Sequence, residues 1–335
     1  MTATPLPIFL QLLADRKLQP GGVRLVFSKT SGDDVNATLS ENMDNDALTA
    51  FVTRFPCLIA SGQAHQLQPQ HLQALLDSGC HLLHDEAIQR VDTPQKPLLR
   101  NATLWLDGDW YQAPPAKPTG SQIASRTLAL KLVQLVAADA ETREIEDIFR
   151  QDPSLSYHLL RVVNSVSMGS SRQISSFSQA ILILGRQQLK RWLNLMLFAP
   201  RPEDPRSAML LARVAVRARS MELLARLVGL DRATQELTFM AGMFSMLGIL
   251  FGISLTDLFK PLQMSDILVN AVLRREGDIS HLLQTVELAE QADEPGLTDM
   301  LKGLLLTKDQ FRQVNLEAHQ WMVDMVRGTQ ESSHG

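Results

Sequence analysis

Two groups of residues in this chain have types and spacings suited to chemistry. In the first, Cys80, His81, His84 and Asp85 fall within six consecutive positions. Imidazole, thiolate and carboxylate are the donors of a divalent-metal site, and a cysteine next to a histidine suggests a nucleophile and its base. Geometry weighs against both. Adjacent residues on a helix do not face one another, so Cys80 and His81 read as a structural thiol and its neighbour. His81 and His84 stand three apart and could share a helix face, yet nothing around them supplies further ligands. We read His81, His84 and Asp85 as a surface or helix-end group. The second group is cationic. Arg186, Lys190 and Arg191 flank the apolar stripe Leu189, Trp192, Leu193 and Met196. Arg213, Arg217 and Arg219 recur on a later helix, where Glu222 stands four residues before Arg226 and is expected to pair with it. Guanidinium groups grip phosphates and carboxylates, so Arg186, Lys190, Arg191, Arg213 and Arg217 form the candidate interaction surface. There is no G-x-S-x-G, P-loop or G-x-G-x-x-G.

The elements that would carry these groups change character along the chain. Val23–Ser28 and Cys57–Ala60 read as strands, and Leu72–Leu83 as a helix running into a short apolar piece. Ala102–Leu106 and Asp109–Gln112, joined by Asp107-Gly108, read as a hairpin. Residues 31–46 are polar and acidic and read as a loop. A Pro-rich linker, residues 113–120, then gives way to helical periodicity. The spacing predicts helices over Ser121–Ala138, Thr142–Gln151 and Ser207–Val228, the last with Ser207 as N-cap and Gly229 just past its end. Asp231 should cap the next helix. Helices are also predicted over Ser265–Arg274, Ser280–Gln291 and Lys308–Arg327, with Trp321–Met325 on a core-facing stripe. The fold expected is multidomain: a small α/β or α+β unit over 1–112, an all-α unit over 121–328, and a disordered tail over 329–335.

Bulk properties narrow the function classes. The chain has 335 residues, a net charge of −4 and 5% aromatic residues. This is neither the overall positive field nor the aromatic supply of a nucleic-acid binder. Cys57 and Cys80 are too few for a disulfide scaffold and lack a zinc spacing, which favours a reducing, cytoplasmic compartment. Leu237–Thr256 holds twenty residues without a charge, long enough to span a bilayer. Its three glycines, its serines and threonines, and the acids Glu236 and Asp257 at its ends point instead to a buried core helix broken near Gly248–Gly252. Met1–Leu13 lacks the basic leader of a secretory signal.

One segment is more specific than all of these. Asp152–Leu195 contains Asp152-Pro153, Leu159-Leu160-Arg161, Asn164-Ser165, Ile174-Ser175-Ser176, Ala180-Ile181, Leu184-Gly185 and a basic-then-apolar helix from Arg186 to Trp192. Together they resemble the signature of the HDOD domain, a family related to the HD-type metal phosphohydrolases but lacking their metal site. Asp152, Pro153, Asn164, Ser165, Leu184 and Gly185 then read as mainly structural, as do His158 and Arg161. The stretch 121–165 also resembles the junction between an EAL-type domain, the cyclic di-GMP phosphodiesterase barrel, and an HDOD domain. Residues 1–112 are too few for such a barrel and could hold only a remnant. Glu86-Ala87-Ile88 resembles the EAL tripeptide without the carboxylates and lysine that should accompany it.

The resemblance locates the ligands of the HD relatives. Their His-Asp pair follows an Ala-Gly-apolar-apolar stretch, here Ala241-Gly242-Met243-Phe244, and the residues in its place are Ser245 and Met246. An earlier ligand histidine would fall near Val214, on a helix without histidine. What the resemblance implies is a non-catalytic regulatory adaptor with no cofactor, acting through protein partners near cyclic di-GMP or two-component signalling. The alternatives are a residual metal-dependent phosphohydrolase and a cyclic-dinucleotide sensor without hydrolysis.

Overall fold

The computed structural model describes residues 9–27, 45–92, 97–112, 204–260 and 264–331, with isolated positions between 131 and 198. The linker, most of the two helices predicted after it, and the signature from Asp152 through Lys190 lie outside the described residues. So does most of the acidic loop 31–46.

The N-terminal part is a six-stranded sheet: β1 (Phe9–Ala14), β2 (Pro20–Val26), β3 (Cys57–Ala60), β4 (His81–Leu83), β5 (Ile88–Arg90) and β6 (Trp105–Asp107). The strand order is β4-β3-β2-β1-β6-β5. β1 runs antiparallel to β2 and β6, and the other pairings are parallel. Helices α1 (Asn45–Val52) and α2 (Pro69–Asp77) make the crossovers into β3 and β4. Parallel neighbours need a connection of roughly a dozen residues, so the four residues from His84 to Ala87 cannot place β5 beside β4. Instead the two strands sit at opposite edges. A flat sheet would hold its outer strands about 24 Å apart, at about 4.8 Å per step, beyond the ~17 Å that this link can reach. The sheet therefore curls.

The helix expected within Leu72–Leu83 ends at Asp77, and the short apolar piece it runs into, His81–Leu83, is strand β4. One expectation is corrected here: residues 102–112 do not form a hairpin. Gly108 does turn, at φ +95°, but β6 pairs with β5 and β1, and Trp110–Gln112 forms a 3₁₀ turn.

The C-terminal part is helical: α3 (Ser207–Leu227), α4 (Arg232–Phe244), α5 (Leu247–Phe251), α6 (Leu255–Phe259), α7 (Asp266–Val269), α8 (Asp278–Glu290), α9 (Glu294–Gly303) and α10 (Lys308–Glu331). α3 is apolar almost all round and is the central helix, packed by α4, α8 and α10. It starts without a side-chain cap: the Ser207 hydroxyl donates to Asp204 O instead. Gly229 follows α3 at φ +80°, a conformation that leaves glycine unstrained. Asp231 caps α4, accepting from the amides of Ala233 and Thr234. The predicted helix over Ser265–Arg274 is split, with α7 passing into a π-helical turn at Asn270–Arg274.

Arg232–Phe251 has the length and composition to cross a membrane. It is two helices separated at Ser245–Met246, and more than half of its apolar window is buried. Sheet and helices also meet: β1 touches α8 and α10, β2 touches α3, and one continuous hydrophobic core spans both parts.

Candidate functional site

Arg213 and Arg217 lie one turn apart on α3 and are buried. Arg217 forms a two-pronged pair with Glu290 of α8, with Nε to Oε1 at 2.9 Å, and its Nη1 donates to Ser245 Oγ at 2.7 Å. Glu287 stands 3.8 Å away on the same helix. Burial works to raise the Glu290 carboxyl, but the charges of Arg217 and Arg213 outweigh it and hold the group below its ordinary range. Arg213 has a different partner. Its Nε and Nη2 donate to the Tyr111 hydroxyl at 2.9 and 2.7 Å, and its charge lies 5.8 Å from the centre of that ring. Burial pushes the Tyr111 hydroxyl up, so it stays a neutral acceptor. Beside them His319 of α10 is buried, its Nδ1 2.8 Å from Asn315 O. Desolvation pushes this imidazole down to about 4. The result is a polar knot drawn from α3, α4, α8, α10 and the end of the sheet region.

A second hub involves Arg191. It donates to Glu236 and Glu222, each at 2.6 Å, and lies 4.6 Å from the centre of the Phe239 ring. Glu222 is shared with Arg219, while Arg226 turns to Glu317. The expected Glu222–Arg226 pair is thus replaced by contacts between helices. Trp321 packs edge-on against Phe239 at 6.0 Å, and Met322 and Met325 are buried, so that stripe is core.

These contacts correct the candidate surface. Arg191, Arg213 and Arg217 do not form an open cationic face, because each is engaged inside the fold. A buried charge is tolerated only when paired and hydrogen-bonded, and the pairing partners lie far along the chain. Arg186, Lys190, Asp152, Pro153, Asn164, Ser165, Leu184, Gly185, His158 and Arg161 lie outside the described residues. Glu290, Glu287, Glu236 and Tyr111 escape the sequence reading. A signal for Glu290 exists: it continues the spacing of the buried Leu283 and Val286, placing an acid on an apolar stripe.

The sheet carries a third polar group. Arg24 of β2 donates to Gln11 of β1 and pairs with Asp107 of β6 at 2.8 Å, and Arg90 of β5 lies 3.9 Å from the same carboxylate. Asp107 is buried and also accepts from the amide of Gly108. Asp92 pairs with Arg90 at 2.8 Å. Asp107, Arg90 and Asp92 thus gather at the C-terminal ends of the parallel strands β5 and β6.

The donors for a divalent ion do not fit the HD pattern. Ser245 commits its hydroxyl to Arg217 and to Gly242 O, and Met246 is a buried thioether. Neither replaces imidazole or carboxylate toward such an ion. Among the described residues no three histidine, cysteine or acidic side chains are grouped as a metal requires. His81, His84 and Asp85 are all exposed, and His81 lies on strand β4 rather than on a helix with His84. Cys57 and Cys80 are free and buried, and burial pushes the Cys80 thiol up to about 12, far from a nucleophile's range.

Residues 125–265 match the family described as HDOD domain. The chain is 33% identical over 187 residues to the cyclic di-GMP phosphodiesterase CdgJ of Vibrio cholerae, covering 55% of this chain and 42% of that protein. It is 27% identical over 197 residues to the uncharacterized protein YuxH of Bacillus subtilis, covering 58% and 47%. The match thus spans less than half the length of either relative. A solved structure from Shewanella amazonensis SB2B superposes with a TM-score of 0.44 at 15% identity, covering 61% of this chain and 93% of that one. The relationship to CdgJ overturns the expectation of a non-catalytic adaptor, and with it the expectation that the chain is no enzyme, since that relative is named a phosphodiesterase.

Proposed function

Taking as premise that this chain carries an HDOD domain over residues 125–265, we propose that it acts in the hydrolysis of cyclic di-GMP. The observation that carries this reading is the 33% identity to a protein named a cyclic di-GMP phosphodiesterase. Ligands of sheets with parallel strands gather at the carboxyl ends of the strands. There Arg90, paired with Asp92, is well exposed and Arg24, paired with Asp107, partly so; a dinucleotide phosphate would share these guanidinium groups with the carboxylates. The buried knot of Arg213, Arg217 and Glu290 has a different task in this scheme, holding the helices that support the sheet. The free thiols of Cys57 and Cys80 support a cytoplasmic setting.

The test is to incubate the full chain with cyclic di-GMP and magnesium or manganese and to follow the linear dinucleotide by chromatography. Linear product is expected to accumulate with enzyme concentration and to fall about tenfold or more when Arg90→Ala removes one exposed phosphate partner. Absence of product with both metals would overturn the proposal.

A further inference from the structure

On the helical part, a cleft of about 270 Å³ opens between the start of α4, the π-helical turn and the start of α8. Its apolar lining is Leu230, Ile267, Ala271 and Ile279, and Glu276 and Asp278 stand on its wall. Ile267 is 55% exposed. Glu276 and Asp278 are exposed, and among the described residues neither has an ion pair or a side-chain hydrogen bond. The neighbouring cations are turned elsewhere: Arg274 donates to Asn270 Oδ1 at 2.9 Å, and Arg275 pairs with Glu287 at 2.8 Å.

The backbone around the cleft is also out of the ordinary. Asn270–Arg274 is a π-helical turn, and Arg275 follows at φ 60°. π-turns concentrate at functional sites, while Arg275 is one of four left-handed non-glycine residues among those described. Here the widened turn places Asn270 and Ala271 on the cleft wall.

We infer that this cleft docks a protein segment with an apolar anchor side chain flanked by lysine or arginine. The cleft lies at the small end of the about 300 to 1,000 Å³ typical of ligand sites and has room for one or two apolar side chains. Charge selects the flanks. Glu276 and Asp278 would repel an anionic nucleotide or an acidic peptide and attract basic residues beside the anchor. The inference is independent of the cyclic di-GMP reading, since none of these residues belongs to the sheet ends.

The experiment pans a phage library of random peptides over the immobilised full chain. The best peptide is then synthesised and measured by fluorescence anisotropy against wild type, Glu276→Lys, Asp278→Asn and Ile267→Asp. Asp278 begins α8, so the mild substitution spares the helix, and a melting curve for each variant confirms folding. The expected consensus is a leucine, isoleucine or aromatic residue with basic neighbours. Binding should weaken about tenfold or more for Glu276→Lys and Ile267→Asp, less for Asp278→Asn, and should fade with added salt. Enrichment of no peptide, an acidic or uncharged consensus, or affinity unchanged in folded variants would overturn the inference, whatever the outcome of the hydrolysis assay.

Discussion

His319 is the residue whose environment sets the clearest pH dependence. Its imidazole is pushed from the ordinary value near 6.5 down to about 4 by burial, so the folded state resists a proton that the unfolded chain accepts. Stability from this group is full above pH ~6.5 and is lost as pH falls toward 4, by roughly 3 kcal/mol in all. The lowered carboxyl of Glu290 acts in the same direction at still lower pH. Urea unfolding between pH 7 and 4 should show the loss, and His319→Gln should flatten the upper part of the curve. A wild-type profile flat over that range would refute the assignment. Beyond Glu290, which continues the spacing of buried Leu283 and Val286, none of this knot is legible from spacing. Arginines are normally exposed, so Arg213 and Arg217 read as surface. The Glu290 partner lies 73 residues from Arg217 and Tyr111 lies 102 from Arg213, and helical neighbour rules see only three or four.

At the scale of elements, local signals are legible in the sequence and long-range pairings are not. Asp231 and Gly229 act through the backbone within a few residues of themselves, which is why cap and terminator are visible there. Gly229 offers a clean check: a Cβ added there meets nothing within 4 Å, so Gly229→Ala should cost only the left-handed backbone penalty. That is about 1 kcal/mol by urea unfolding, and a loss several times larger would reveal a contact that the fold lacks. β6 shows the opposite case. Asp107-Gly108 does turn, but the partners of Trp105–Asp107 are Ile88–Arg90 and Ala14, chosen by the arrangement of the whole sheet. The uncharged stretch breaks at Ser245–Met246 as well as at Gly252, and at the first break Arg217 donates to the Ser245 hydroxyl, a partner that no local pattern records.

At the scale of the molecule, sheet and helices share a core, and Tyr111 with Arg213 is a polar fastening across it. Tyr111→Phe leaves buried guanidinium donors without an acceptor, and Arg213→Met leaves the hydroxyl alone. The two single losses should therefore exceed, when summed, the loss in the double variant, with a coupling of about 1–3 kcal/mol in a thermodynamic cycle. Strict additivity would show that the contact fastens nothing. The domain family itself is legible, from a signature of several short elements in order, and the family match bears it out. The non-catalytic role inferred from that family is overturned by the 33% identity to a protein named a cyclic di-GMP phosphodiesterase, which missing ligands at one position could not foretell.

Among the described residues the curled sheet stops at β4 and β5, each three residues long. Every sheet that fails to close leaves two rows of backbone donors and acceptors to solvent, and such rows recruit strands from other chains. Brevity is one defence: three residues offer a passing molecule too short a ladder to hold. Short border strands thus work against pairing with other chains, and lengthening either one would weaken that safeguard.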